Sequence, residues 1–215
     1  MRKRRVGSWT AAAAALLAAA SARGEDRPGA LEATVGLGID QGFGSVGDGI
    51  PRLQDTGSAG AAMEVGIGWR IEPHFTVGAY GSGSAHGPAH AASSSARAYA
   101  AAAGFTVSYH GRPYRRLDPW IGVGFGWRRT WVEGGQGTDV LAGMDLARIQ
   151  TGVDYALSDR MSVSPVLGLS VTQFVSHKPE AEGSYRDVTD ARTVLFVFGG
   201  VLGRFEVLAS QRSAR

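Results

Sequence analysis

The sequence has no cysteine. Beyond its N-terminus it has no apolar run near the roughly 18 residues that a membrane helix needs. The first absence excludes a disulfide framework. The second excludes a transmembrane helix after the opening segment. Histidine is scarce, at 5 residues, which limits imidazole-based metal and acid–base chemistry. Charge of one sign is missing as well, once the start of the chain is set apart. "MRKRR" is a basic start, "AAAAALLAAA" a short apolar run, and "ASA" at Ala20–Ala22 a small-residue cleavage pattern. Together they predict a secretory signal peptide over 1–22, cleaved after Ala22. Of the 22 Lys and Arg, four (Arg2, Lys3, Arg4, Arg5) lie in that segment and none of the 19 Asp and Glu does, leaving a mature chain of charge near −1. The high pI is therefore mostly a property of the leader, and no nucleic-acid partner is expected.

What is present is glycine and alternation. The 32 glycines have no collagen period and cluster inside alternating segments such as "VGLGI", "VGIGW" and "IGVGFGW". Eight segments alternate with period two, at about 31–41, 60–71, 75–84, 96–109, 119–131, 140–156, 161–173 and 192–207. Period two means strands with one apolar face. That face carries Leu37 and Ile39, Val65 and Ile67, Val107, Val123, Ile149, Leu167 and Val201; the opposite face is small or charged. A soluble sandwich would have a bulky apolar inner face and an outer face rich in Lys and Glu. A barrel standing in lipid has the arrangement seen here, apolar outward and polar inward.

The connectors alternate in length. Short ones fall at 72–74, 110–118 and 157–160, and long ones at about 41–59, 84–95, 132–139 and 174–191. Outer-membrane barrels have short periplasmic turns and longer external loops. Aromatics fall in two sets on the outward face: Trp69, Phe75, Tyr109, Tyr155 and Phe205 near the short turns, and Tyr99, Trp127 and Trp131 near the long loops. These predict girdles at the two membrane interfaces. Lipid offers no hydrogen bonds, so such a sheet must close on itself.

The segments "VGIGWRIEPHFTVGAYGSG" and "GVDYALSDRMSVSPVLGLSV" resemble hairpins of the small eight-stranded outer-membrane barrels, the outer membrane protein A-type transmembrane domain and the related adhesin-like and W-type barrels. The resemblance covers roughly 31–207. It implies an all-β, eight-stranded antiparallel up-and-down transmembrane β-barrel over 23–215, located in the bacterial outer membrane. It further implies outer-membrane lipids and, during biogenesis, the barrel assembly machinery as partners. Members commonly end on an aromatic assembly signal. Here Phe205 and Val207 come closest, and "LASQRSAR" follows.

Charged residues on the inward face are the candidate site. Glu32, Arg70, Asp154, Arg204 and Glu206 are expected near the periplasmic end, with Glu64, Arg128 and Arg148 higher. A narrow lumen brings opposite charges together, and glycines leave room for long Arg side chains. Two readings stay open: a structural ion-pair network and a gate across a narrow pore. An enzyme needs a nucleophile, a base and an orienting acid within reach. His74 and His110 are read in periplasmic turns and His86, His90 and His177 in external loops, with no strand-borne His beside a Ser or Thr two positions away. No catalytic residue, metal or cofactor is therefore expected, although "HGPAH" (86–90) offers two histidines to a weak metal reading. The basic turn "GRPYRRLDP" (111–119) reads as solvated or as a contact to phospholipid phosphates or peptidoglycan. Three functions follow: a rigid barrel presenting loops to a surface ligand, a narrow porin or gated channel, and, more remotely, a lipid-modifying enzyme.

Overall fold

The computed structural model describes residues 29–50, 52–88, 97–133, 137–179 and 184–208. The expected leader over 1–22, His90 and the tail beyond Leu208 lie outside the described residues. The strands are β1 (Ala30–Phe43), β2 (Gly60–Glu72), β3 (Phe75–His86), β4 (Arg97–His110), β5 (Leu117–Glu133), β6 (Thr138–Ser158), β7 (Met161–Lys178), β8 (Arg186–Asp187) and β9 (Thr193–Leu208), with one short helix, α1 (Leu53–Thr56). They are ordered β6-β5-β4-β3-β2-β1-β9-β7, and β6 pairs with β7, so an eight-stranded antiparallel sheet closes on itself. β8 is a two-residue addition to the upper end of β7. Among the described residues no helix is long and apolar enough to cross a membrane; the crossing elements are strands.

The register fixes the barrel's shape. Paired residues run Leu31, Trp69, Val77, Val107, Val123, Ile149, Leu169, Val197 and return to β1 at Gln41, ten residues above Leu31. A ten-residue stagger over eight strands gives a tilt of about 40° and a radius of about 8 Å. The interior of such a barrel is just wide enough for side chains to fill. Inward Cβ atoms converge there, and this explains the facing glycines. Gly104 pairs with Gly126, and a Cβ on Gly104 would lie 2.1 Å from the Phe125 carbonyl oxygen.

The outer wall is apolar. Leu37, Ile39, Ile67, Phe105, Phe125, Leu167 and Val201 are all more than half exposed, against the usual direction of burial in water. Each residue climbs about 2.5 Å at this tilt, so Trp69, Phe75, Tyr109, Tyr155 and Phe205 share one height within about 4 Å. At the other end the first polar outward residues are Gln41, Arg129 and Gln173, about 25 Å above that ring. This is the height of the apolar band of a transmembrane barrel. Trp127 lies just below the upper polar rim; Tyr99 and Trp131, paired with each other, lie just above it.

Some expected boundaries move. β3 runs to His86 and β7 to Lys178, so 84–86 and 174–178 are strand rather than loop. Asp118 and His110 belong to strands β5 and β4, and the turn between them is only 111–116. The third long connector shrinks to 134–137 because β5 and β6 project beyond the belt.

Candidate functional site in the lumen

Inward side chains stack in tiers set by the register. The lowest holds Glu32, Arg70, Arg204, Asp154, His110 and Asp118. Arg70 Nε donates to Glu32 Oε1 at 2.5 Å and Arg204 Nη1 to Glu32 Oε2 at 3.1 Å. Arg204 Nε donates to Asp154 Oδ2 at 3.0 Å. Three strands, β9, β1 and β6, are thereby tied through one guanidinium. Arg204 also lies 5.4 Å over the Trp120 ring, whose Nε1 donates to Ser164 Oγ at 3.0 Å. Glu206 is opposite Glu32 across the β1–β9 pair. Below this tier a vestibule of about 420 Å³ opens at the short-turn end, lined by Tyr114, Arg115, Arg116, Asp159, Arg160 and Glu206 among others.

The middle tier spans the barrel. Arg148 of β6 donates to Glu64 of β2, four strands away, and Gln150 Nε2 adds a second donor to the same carboxylate at 3.1 Å. The Arg148 guanidinium lies 4.1 Å over the Tyr80 ring.

The upper tier centres on Asp145, which is fully buried. Arg128 grips it with two bonds, Nε to Oδ1 at 2.8 Å and Nη2 to Oδ2 at 3.1 Å, and Thr172 Oγ1 donates to Oδ1 at 2.5 Å. Arg128 also stacks 3.9 Å over Phe196 and approaches Asp40 at 4.0 Å. Above it Val46, Leu53, Leu141, Phe174, Val194 and Phe196 form a buried apolar cluster, with Ile50 and Val188 against it. Val46 and Leu53 come from the first long loop, so that loop caps the barrel. Leu53 N donates to Gly44 O, Gly44 N to Gln54 Oε1, and Arg192 N of the fourth loop to Val46 O.

All eight expected lumen charges point inward, and seven of them form these ion pairs: Glu32 with Arg70 and Arg204, Asp154 with Arg204, Glu64 with Arg148, and Arg128 with Asp145 and Asp40. Asp145 was hidden from the period-two reading by a β-bulge. Between the pairs Gly124–Arg148 and Gly126–Asp145, one residue of β5 opposes two of β6. Inward parity therefore changes within "MDLAR", where Met144 and Leu146 both face out. A charged residue between two apolar ones, out of step with Arg148, is the signal that marks it.

The histidines need correction. His110 is the last residue of β4, fully buried, and its Nδ1 donates to Asp118 Oδ2 at 2.7 Å. His86 and His177 are strand residues, not loop residues. His86 does have a serine two positions away: Ser84 Oγ lies 2.9 Å from its Nε2, while its Nδ1 donates to Ser58 O at 3.0 Å. That tautomer makes Nε2 an acceptor, the arrangement of a nucleophile and base. The same hydroxyl lies 3.1 Å from Asp40 Oδ2, and the space beside it is about 30 Å³. That volume accepts about one water and no acyl chain.

His110, Asp118 and Asp154 have ligand atoms within 4.8 Å of one another and could be counted as a metal set. Part of the set is already engaged, while His110 Nε2 and Asp154 Oδ1 are buried without a hydrogen-bond partner among the described residues. Asp118 accepts from His110 Nδ1 and from Arg112 N at 2.8 Å, and Asp154 Oδ2 from Arg204. With two guanidiniums on the same tier, the surroundings oppose a divalent cation.

No family model and no curated protein matches the sequence. Solved structures do match. The chain is similar to Neisserial surface protein A, with TM-score 0.56 and 13% identity over 82% of this chain and 96% of that one. It is similar to outer membrane protein OprG from Pseudomonas aeruginosa, with TM-score 0.53 and 13% identity over 85% and 100%. Outer membrane protein AlkL, solved in DMPC bilayers, gives TM-score 0.51 and 14% identity over 89% and 97%. At these identities the shared property is the fold.

Proposed function

We propose, from its fold of a small eight-stranded outer-membrane barrel, that the chain is exported by its leader, stands in a bacterial outer membrane, and works through the four connections on its long-loop side. One observation carries this reading: the lumen is filled. Above the vestibule at the short-turn end, three polar tiers and an apolar cap occupy it, and buried charges are matched to partners. A water-filled pore would leave these groups hydrated and the cap open. The barrel is then a rigid mount, and the loops carry surface interactions.

Assignment to the outer membrane is supported by the exposed apolar belt and its aromatic rings. The test has two stages. The outer-membrane fraction of expressing cells is run on an SDS gel with and without boiling, and a heat-dependent shift is expected. The purified barrel is then placed in planar bilayers, where conductance at the lipid baseline is expected. Discrete channel openings abolished by Arg148→Ala would favour a gated channel in place of the mount. Loss of surface binding on shortening the loops, with the heat shift intact, would locate the function in them.

A further inference from the structure

We propose that Arg129, Lys178, Tyr185 and Trp131 form a site on the outer wall for a phosphate group of a lipid in the leaflet around the long loops. The proposal rests on the outer-membrane reading above. Between the two aromatic rings, Arg129 is the only charged outward-facing strand residue among those described. It stands between Trp127 and Trp131 on the same face of β5. Its cross-strand neighbours are Ala101 on β4 and Ala142 on β6, too small to cover it. Its guanidinium donates to the Tyr185 hydroxyl and lies 5.5 Å from the Trp131 ring and 5.7 Å from the Tyr185 ring. Lys178 Nζ lies 6.0 Å from the same Tyr185 ring.

Two cations thus share one tyrosine. Among the described residues neither forms an ion pair with a carboxylate, in contrast to the lumen arginines. A lipid-facing arginine costs little near the interface and several times more at the midplane, so the position at the rim is affordable only where a headgroup meets it. A phosphate monoester brings nearly two negative charges and three acceptor oxygens. An arginine fork matches it bidentately, and a lysine supplies a second point charge. The phosphate belongs to a lipid because Arg129 faces sideways. Trp127, one step below on the same face and half exposed, lies within the belt where the acyl chains of that lipid would run.

The probe is bis-phosphorylated lipid A in phosphatidylcholine nanodiscs that hold the refolded full-length barrel. Lipid retained after a detergent wash is read by native mass spectrometry. Retention is expected to fall about tenfold in Arg129→Gln, the loss of one charge-assisted contact, and similarly for the native chain with dephosphorylated lipid A. Arg97→Gln, a cation higher on the same face, is expected to retain lipid A as the native chain does. Equal retention by Arg129→Gln, or by dephosphorylated lipid, overturns the proposal. Displacement of lipid A by millimolar inorganic phosphate would make this a free-phosphate site and overturns the lipid assignment. Each sample is first run on a gel with and without boiling. A native chain with no heat shift sinks the outer-membrane reading itself; a shifting Arg129→Gln barrel that keeps its lipid A sinks only this site.

Discussion

Replacing Asp145 by alanine separates a filled lumen from a wet one by energy. Asp145 is fully buried and takes two bonds from Arg128 and one from Thr172. Its removal leaves the Arg128 guanidinium buried, with Asp40 at 4.0 Å as the remaining carboxylate. In a dry interior, breaking one partner of such a pair costs about 3–5 kcal/mol, most of it the penalty on the abandoned charge. In a water-filled pore the same pair is worth about 0.2–1 kcal/mol. The assay is equilibrium urea unfolding of the barrel in lipid vesicles, followed by tryptophan fluorescence. A loss of at least 3 kcal/mol is expected. The double variant Arg128→Met with Asp145→Leu removes both charges at similar volume and is expected to recover most of that loss. A cost for Asp145→Ala below about 1 kcal/mol, or a double variant no better than the single, would refute the filled-lumen argument and with it the main support for a loop-based function.

Three further outcomes are expected. Gly104→Ala places a Cβ 2.1 Å from the Phe125 carbonyl oxygen and should block folding into vesicles, whereas Gly81→Ala, whose nearest atom is 3.8 Å away, should leave the heat shift intact. Val46→Ser with Leu53→Ser strips the apolar cap. Trypsin should then cut after the exposed Arg52 about tenfold faster or more, as loop opening becomes cheaper, while bilayer conductance stays at baseline because the polar tiers lie below. Ser84→Ala should leave the lipid A mass profile of expressing cells unchanged; disappearance of a deacylated species with this substitution would revive the enzyme reading.

The barrel was legible because its signal is carried by every strand. Period-two alternation with the apolar set exposed needs no knowledge of neighbours, and neither does the sorting of short turns from long loops. Which inward charges meet is another matter, because partners are chosen by the ten-residue stagger and not by sequence distance. Arg148 and Glu64 are 84 residues apart and Arg204 and Glu32 are 172 apart. Each could be placed as high or low in the lumen from its distance to a short turn, but the pairings wait on the register. The sequence places His110 and Asp118 in a turn, since "HGRPYRRLD" is dense in turn formers. The backbone nevertheless continues as strand to both, and they face each other across the β4–β5 end.

The bulge in β6 shows how one residue decides the interior. Without it, parity carried up from Arg148 would turn Met144 and Leu146 inward and Asp145 toward lipid. A carboxylate in the belt and two bulky side chains in a lumen of about 8 Å radius are both unfavourable. Inserting one residue into β6 reverses the facing. Met144 and Leu146 then meet lipid, and Asp145 reaches Arg128 on the neighbouring strand, Thr172 on the other side and Tyr80 across the lumen at 3.5 Å. The extra residue lies opposite Phe125, and above it the shifted register sets Met144 beside Trp127 and Ala142 beside Arg129. Deleting Ala147 tests what the bulge itself contributes. It removes the extra residue, so Leu146 takes the outward place next to Arg148 and strict alternation keeps Asp145 inward against Arg128; it should cost less stability than Asp145→Ala in the same urea unfolding assay. A deletion variant as destabilised as Asp145→Ala would mean that the bulged backbone, and not only the facing it sets, holds Asp145 on Arg128.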